Sequence, residues 1–148
     1  MDIEYAVEQS PTMLVEAYNL AKAHYEEVEA KSSSVPFKLD LSYMSELVKA
    51  GMIFAVTARH MGEMVGYFGI SIVPDFITQM PAAKEVGIYV DPAFRGEGIY
   101  QKMLEMAEAA SDERDAYCLI LAFKEGHDTG QVVDFGYERT ETLYQKLL

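Results

Sequence analysis

Residues 85–110 constrain the fold more than any other part of this chain. They begin with the apolar run EVGIYV, which is typical of a buried strand, and Asp91-Pro92 ends that strand because proline has no amide to donate. Apolar residues then recur at helical spacing, at Ile99, Met103, Leu104, Met106, Ala107 and Ala110. The segment therefore predicts a strand that passes through a sharp turn into an amphipathic helix, as in an α/β domain.

The turn between this strand and this helix has the features of an anion-binding site. Its sequence is Arg95-Gly96-Glu97-Gly98, and the glycines let the backbone approach a ligand closely. The first amides of a helix lack intrahelical acceptors, and the helix dipole favours negative charge at that end. Arg95 adds a forked cationic donor. The alternative is a turn whose glycines serve packing alone.

The stretch VDPAFRGEGIY, residues 90–100, resembles the acetyl-CoA-binding motif of the GNAT acyltransferase superfamily. In that motif a strand with V-x-P-x-x is followed by [Q/R]-x-x-G-x-[G/A] and a helix. Arg95 matches the first motif position and Gly98 the central glycine. Tyr100 departs from the pattern, because the family usually has glycine or alanine there. Its ring must point away from the pyrophosphate or narrow the site, while its amide is retained.

The resemblance implies one GNAT domain over residues 1–148, of mixed α/β (α+β) class. The fold would be a twisted mixed sheet of six to seven strands with helices on both faces. Its central parallel strands would splay apart, and Gly87 would mark the bulge that separates them, since glycine inside a strand often marks a bulge. The co-substrate implied is acetyl-CoA, without a metal. Its expected contacts are Tyr89, Val90, Arg95, Gly96, Glu97, Gly98, Ile99 and Tyr100.

Acetyl transfer from a thioester to an amine needs a base, an oxyanion donor and a leaving thiolate. By resemblance to histone-acetylating relatives, Glu85 is the expected base, and the alternative is an exposed residue at a strand start. The amide of Val90 is the expected oxyanion donor, again by resemblance. The acid for the CoA sulfur stays open between Tyr117, His127, Tyr144 and thiolate departure without an acid.

Two positions near the C-terminus depart from the family pattern. Relatives carry an asparagine and then a catalytic tyrosine before a Gly-Phe pair, and Gly136-Tyr137 matches that pair. The two earlier positions hold Glu125 and Val132. Because of Tyr100 and Val132, a catalytically silent CoA-binding or protein-interaction module on the same scaffold is the alternative function. A nucleotide-binding protein is disfavoured, because the turn lacks the Gly-Lys-Ser/Thr ending of a P-loop.

The acceptor side of the site is less constrained by sequence. In the superfamily the first two helices and their loop form one wall of the pocket, and a later loop lies over it. The wall candidates are Tyr25, Val35, Phe37 and Tyr43, and the candidate lid residues are Phe76, Ile77 and Met80. Packing alone would also explain why these positions carry apolar and aromatic side chains. His24, on the apolar stripe of the first helix, is interpreted as a core-edge histidine without a role.

Charge and cysteine content limit the partners. A net charge of -12 argues against nucleic acid or an anionic membrane and favours a cationic or neutral acceptor, either a small-molecule or a peptide amine. The single cysteine, Cys118, indicates a reducing compartment and a small core residue, with an acyl-cysteine intermediate as the alternative. The N-terminus does not resemble a signal peptide, so we expect a soluble, cytoplasmic protein that could form a homodimer.

The remaining elements follow from periodicity and turn residues. Helices are predicted from Pro11 to about Lys31, over residues 40–50 and, irregularly, within 126–134. Strands are predicted at residues 3–7, 52–58, 64–73, 85–90 and 117–123, with a closing pair at 137–139 and 143–148.

Overall fold

The structure is a computed structural model that describes residues 1–30, 33–124 and 126–148. Short 3₁₀ turns lie at Pro92–Phe94 and Gln131–Phe135. The main elements, in chain order, are β1 (Glu4–Glu8), α1 (Thr12–His24) with a π-helical continuation (Tyr25–Glu29), α2 (Leu41–Lys49), β2 (Ile53–His60), β3 (Glu63–Pro74), β4 (Pro81–Val90), α3 (Ile99–Glu113) and β5 (Leu119–Ile120).

The strands form one mixed sheet in the order β1-β2-β3-β4-β5. Neighbouring strands from β1 to β4 are antiparallel, and β5 runs parallel to β4. The apolar sequence of β2, IFAVTARH, reflects its place inside this sheet, since residues that point to either face of the sheet are buried under helices.

Helices cover both faces of the sheet, as predicted. On one face α3 packs its apolar stripe against alternate residues of β2 and β3, including Phe54, Val56, Phe68 and Ile70. On the other face α1 and α2 bring Met13, Leu14 and Val48 onto Ile53 and Ala55. Successive residues of β2 thus belong to opposite layers, so a single strand links the two cores.

The β3–β4 pair contains the predicted bulge. Gly69 opposes Gly87, but the next residue, Ile70, opposes Glu85. Val86 is therefore the extra residue of β4 at this point. The bulge lies next to Gly87, where the sequence placed it.

The central parallel strands pair over a short stretch only, as expected for strands that splay apart. The β4–β5 pairing consists of Ala83 with Leu119 and Lys84 with Ile120. Among the described residues no strand pairs with this edge of β4 from Glu85 to Val90, and we call the side of β4 along this unpaired edge the gap.

The predicted count of six to seven strands is wrong for the described residues, which form five. Residues 137–148, predicted as a closing pair, contain no strand, and residues 117–123 form a strand only at Leu119–Ile120. A strand needs a partner as well as a suitable composition, and so short a β5 offers little edge for pairing. β4 begins earlier than predicted, at Pro81, which opposes Pro74. Both prolines lie at the end of the β3–β4 hairpin, where the amide that proline lacks is not needed for the sheet.

The first helix also differs from its prediction. Its α-helical part ends at His24, and the chain continues as a π-helical turn over Tyr25–Glu29. The predicted end near Lys31 lies outside the described residues. Within the described ranges, no helix combines the length and apolar character that crossing a membrane requires.

Candidate functional site

The backbone of β4 presents Val90 to the gap. The amide of Asp91 donates to the carbonyl of Val65 at 2.8 Å, while Val90 opposes Gly66. This pattern makes Val90 and Gly66 a non-hydrogen-bonded pair, so the amide and carbonyl of Val90 point away from β3. By the same alternation the backbone groups of Tyr89 point toward β3. The strand edge that borders the gap therefore exposes the amide of Val90.

The glycine turn forms an open start to α3. Gly96 and Gly98 have φ values of +88° and +75°, in the left-handed region that favours glycine. No atom lies within 4 Å of the position that a Cβ would take at either residue. Gly98 precedes α3 without a side-chain cap, so the first amides of the helix, beginning at Ile99, have no intrahelical acceptor.

A cavity of about 280 Å³ opens at this helix start. Six of the residues predicted from sequence border it: Val90, Arg95, Gly96, Gly98, Ile99 and Tyr100. Phe94, Gln101 and Gln131 complete its lining. Glu97, also predicted, is exposed and does not border the cavity. The cavity thus combines open amides, an arginine and the gap-facing residue of β4, an arrangement suited to an anionic ligand.

Arg95 is held by three contacts. Its Nη2 donates to Glu27 at 2.8 Å, its Nε donates to the Val90 carbonyl at 2.9 Å, and its guanidinium lies 5.3 Å from the centre of the Tyr89 ring. The hydrogen bond from Arg95 lowers the pKa of Glu27. Sequence reasoning missed Glu27, because it lies 68 positions from Arg95 on the π-helical turn after α1. The charge of Arg95 at the cavity is therefore partly neutralised.

Glu85 lies within β4 and is partly buried at the gap, which excludes the alternative of an exposed strand start. The amide of Ala122, just beyond β5, donates to its Oε2 at 3.4 Å. Burial raises the pKa of Glu85 to about 7. A carboxyl group with this pKa can accept and release a proton near neutral pH, which suits a general base.

An aromatic cluster lies behind the bulge on the α1 face. His24 Nδ1 and the Tyr67 hydroxyl are 2.7 Å apart, and the imidazole stacks on Tyr89 with 5.3 Å between ring centres. Burial lowers the pKa of His24 and raises that of Tyr67. A Cβ on Gly87 would lie 3.4 Å from the Tyr67 ring, an ordinary contact distance, so the cluster lies directly beside this glycine. Sequence reasoning gave His24 no role, and Gly87 was the one signal that pointed here.

Tyr100 borders the first cavity and also a second one of about 200 Å³. The second cavity is lined by Phe123, His127, Thr129, Gln131 and Val132 as well. The Tyr100 ring packs against the core cluster under α3, and burial raises its pKa to about 12. Its hydroxyl oxygen is buried and has no hydrogen-bond partner among the described residues.

The three candidate acids are scattered. His127 borders the second cavity. Tyr117 instead donates to Asp75 at 3.4 Å, beside the turn between β3 and β4. Tyr144 is 94% exposed on the C-terminal segment. Of the two positions that depart from the family pattern, Val132 lines the second cavity, and Glu125 lies outside the described residues.

Two of the acceptor-wall candidates, Tyr25 and Phe37, pack against each other, and the other two, Val35 and Tyr43, are exposed. Tyr25 donates to the Val35 carbonyl, and its ring lies 5.8 Å from that of Phe37. The side chains of Val35 and Tyr43 are exposed. At the β3–β4 turn the candidate lid residues Phe76, Ile77 and Met80 are exposed as well. Cys118 is half-buried, and its carbonyl accepts from the Ala83 amide where β5 begins.

Comparisons with known proteins point in one direction. The model of the family described as acetyltransferase (GNAT) matches residues 14–131. Comparison with curated protein sequences gives no significant match. In the described ranges, no group of three or more His, Cys, Asp or Glu side chains is placed to hold a metal ion.

Solved structures resemble the chain over nearly its whole length. A ribosomal-protein-alanine N-acetyltransferase from Brucella melitensis biovar Abortus 2308 is 20% identical with a TM-score of 0.74, and the match covers 100% of this chain and 97% of that one. The aminoglycoside N-acetyltransferase AAC(6′)-Iy in complex with CoA is 19% identical with a TM-score of 0.77, covering 98% and 95%. A predicted acetyltransferase from Clostridium acetobutylicum with acetyl-CoA is 13% identical with a TM-score of 0.70, covering 99% and 96%. At these identities the likeness supports a common fold.

Proposed function

The chain belongs to the acetyltransferase (GNAT) family, and on this premise we propose that it transfers the acetyl group of acetyl-CoA to a primary amine by direct attack. Family membership makes it an acyltransferase with a CoA-based co-substrate. The proposal adds the acetyl donor, the class of acceptor and the residues involved. The observation that carries it is the open amide start of α3, which lies beside the unpaired edge of β4 around one cavity.

The pyrophosphate of acetyl-CoA binds the open amides from Gly96 to Tyr100. These amides and the α3 dipole supply positive potential, which the acidic chain otherwise lacks at a net charge of -12. Arg95 contributes the part of its charge that Glu27 leaves uncompensated. Glu97 takes part through its backbone, since its side chain is outside the cavity.

The pantetheine arm lies in the gap and pairs with β4 as an added strand would. Val90 is the residue whose amide is directed to this gap, and Ile88 has the same orientation by alternation. We therefore assign the backbone contact predicted for Tyr89 to Ile88 and Val90. Tyr89 contributes through its buried ring, which contacts the Arg95 guanidinium and stacks on the His24 imidazole.

The chemistry follows from Glu85 and Val90. The carboxylate of Glu85 takes a proton from the amine, which attacks the thioester carbonyl. The amide of Val90 donates to the oxyanion of the tetrahedral intermediate, and the C–S bond then breaks with its electron pair on sulfur. Since burial raises the pKa of Glu85 to about 7, half of the molecules carry the active carboxylate at neutral pH.

The acceptor is a cationic or neutral amine on a small molecule or a peptide. The net charge of -12 favours such a substrate over an anionic one. The named acceptors of similar structures, aminoglycosides and the alanine of a ribosomal protein, are amines of both kinds.

A binding experiment tests the cofactor assignment first. Acetyl-CoA should raise the thermal midpoint, with about 2.7 kcal/mol of stabilisation at a hundredfold excess over Kd, whereas ATP and NAD should not. Thiol release with a panel of amines then tests transfer. Glu85→Gln should lower turnover and leave the acetyl-CoA shift unchanged, while Glu4→Gln, an exposed glutamate on β1, should change neither. Binding without thiol release from any amine would favour the silent-module alternative.

A further inference from the structure

Tyr100 and Gln131 border both of the cavities near the start of α3. The cavity of about 280 Å³ also contains Val90 at the end of β4, whereas the cavity of about 200 Å³ is otherwise lined by residues that follow β5, from Phe123 to Val132. Because β5 pairs with the same edge of β4 that borders the gap, the two cavities belong to the two sides of the gap. Tyr100 and Gln131 lie where these cavities meet.

Neither cavity alone is large enough for acetyl-CoA. Pockets for drug-sized ligands have volumes of about 300–1,000 Å³, and acetyl-CoA is larger than such ligands. A pyrophosphate at the start of α3 and a pantetheine arm along β4 therefore need one continuous groove. The side chain of Tyr100 narrows this groove at the position where the family motif usually has glycine or alanine.

The Tyr100 ring can leave its place between the cavities. Its hydroxyl oxygen is buried and has no hydrogen-bond partner among the described residues, and water would supply one if the ring turned outward. Tyr100 is the second residue of α3, so no preceding helical turn restricts its side-chain rotamers. The space beside the helix start is open at Gly96 and Gly98. The contact that opposes this movement is the packing of the ring against the core under α3.

We propose that the Tyr100 side chain is a gate in the cofactor groove, closed in the free protein and opened when acetyl-CoA binds. The ring turns away from the boundary between the cavities, while the Tyr100 amide stays at the start of α3 for the pyrophosphate. Gln131, an exposed residue on the 3₁₀ turn Gln131–Phe135, completes the gate. The inference rests on the proposed function, because it requires acetyl-CoA as the ligand. The departure from the family motif then lowers cofactor affinity without removing the site.

The closed gate sets a penalty on acetyl-CoA binding. When a ligand binds only the open state, its Kd is raised by the reciprocal of the fraction of molecules that are open. With an open state populated at about 1–10%, removal of the ring should tighten binding roughly 10- to 100-fold.

Substitutions that shrink the side chain at position 100 test this penalty. Tyr100→Ala should lower the Kd of acetyl-CoA in titration calorimetry by the factor given above, and Tyr100→Leu should give a smaller gain. Tyr137→Ala is the matched control, because Tyr137 packs against the same core and borders neither cavity. It should lower the melting temperature as Tyr100→Ala does and leave the Kd unchanged. An unchanged Kd in Tyr100→Ala would overturn the proposal, and so would a higher one, because the ring would then contact the cofactor.

Crystals of the wild-type protein with CoA provide a second measurement, which does not depend on the stability of any variant. The Tyr100 ring should occupy a different rotamer from that in the free protein, and the two cavities should form one groove. A ring that stays in place beside bound CoA would overturn the proposal.

Failure of the proposed function gives a different set of results. If neither the wild-type protein nor Tyr100→Ala binds acetyl-CoA, the cofactor assignment fails and the gate fails with it. If the wild type binds acetyl-CoA while the ring stays in place, the gate alone fails. Binding by Tyr100→Ala and not by the wild type would support both proposals.

Discussion

Glu85, the proposed base, would link the stability of this protein to its activity through one partly buried carboxyl group. Its pKa is about 7 in the folded chain and 4.5 without the fold, because burial disfavours the charged form. Between these values the folded protein holds a proton that the unfolded chain has released. Stability therefore falls as the pH rises from 4.5 to 7, and the full cost, on the order of 3 kcal/mol, is present above pH 7.

Glu85→Gln should remove this cost. We expect the variant to be more stable than the wild type at pH 8, whereas the two should converge below the unfolded pKa of 4.5. Urea unfolding at several pH values measures the difference, with Glu4→Gln as the exposed control. An equal difference at every pH would show that Glu85 is not buried as the structure has it.

At the scale of elements, the π-helical turn after α1 places a carboxylate beside the proposed cofactor site. Glu27 pairs with Arg95 at 2.8 Å, although 45% of the Arg95 side chain and 39% of the Glu27 side chain are exposed. Such an exposed pair contributes little to stability because water screens it. Its larger effect is on the ligand, since Glu27 repels the phosphates that Arg95 attracts.

Glu27→Gln should therefore strengthen acetyl-CoA binding. The expected gain is about two- to fivefold in Kd, in line with an interaction worth up to about 1 kcal/mol at an exposed site. Titration calorimetry measures it, and Glu26→Gln, an exposed neighbour on the same turn, is the control for general charge removal. Weaker binding by Glu27→Gln would mean that the ion pair is needed to shape the turn at Arg95.

The bulge in β4 can be disturbed from the neighbouring strand. A Cβ on Gly69 would lie 2.9 Å from Val86 Cγ2, so alanine there forces the extra residue of the bulge to move. On Gly87 a Cβ would meet nothing closer than 3.4 Å. Gly69→Ala should lower the free energy of unfolding by roughly 1–3 kcal/mol and weaken acetyl-CoA binding, whereas Gly87→Ala should do neither. Equal effects of both substitutions in urea unfolding and ligand titration would contradict this account.

At the scale of the whole molecule, an acidic protein has to bind an anionic ligand. The net charge of -12 repels acetyl-CoA beyond the reach of the local amides. Added salt screens this repulsion, since the Debye length falls from about 30 Å at 0.01 M to about 8 Å at 0.15 M. The association rate of acetyl-CoA should therefore rise with salt in stopped-flow measurements. S-acetyl-pantetheine, which lacks the pyrophosphate, should show no such rise, and a rate that falls with salt would contradict the prediction.

The two helical layers should also unfold together. β2 contributes Phe54 and Val56 to the core under α3, and Ile53 and Ala55 to the core under α1 and α2. Because one strand serves both cores, we propose that residues 1–148 form a single cooperative domain. Calorimetry should show one transition whose calorimetric and van't Hoff enthalpies agree. Two resolved transitions would contradict it.

Local patterns in the sequence determined the strand, the glycine turn and the helix of residues 85–110, and with them the place of the cavity at the start of α3. These features depend on neighbours along the chain: an apolar run, a proline, and glycines that adopt positive φ at Gly96 and Gly98. Gly87 likewise predicted the bulge, because a glycine inside a strand often marks one, and this signal can be read from the local sequence. Amphipathic spacing predicted the helices, and the resemblance to the family implied that they cover both faces of the sheet.

Only the tertiary structure decided what lies opposite these elements. Glu27 reaches Arg95 across 68 positions, and His24 reaches Tyr67 across 43, in contacts that arise when α1 packs on the sheet. The same packing buries Glu85 and brings Tyr100 and Val132 to one cavity. The absence of strands from residues 137–148 has the same origin, since pairing depends on an available edge and not on composition. Burial, charge pairing and strand pairing are properties of distant residues brought together, which local sequence patterns do not encode.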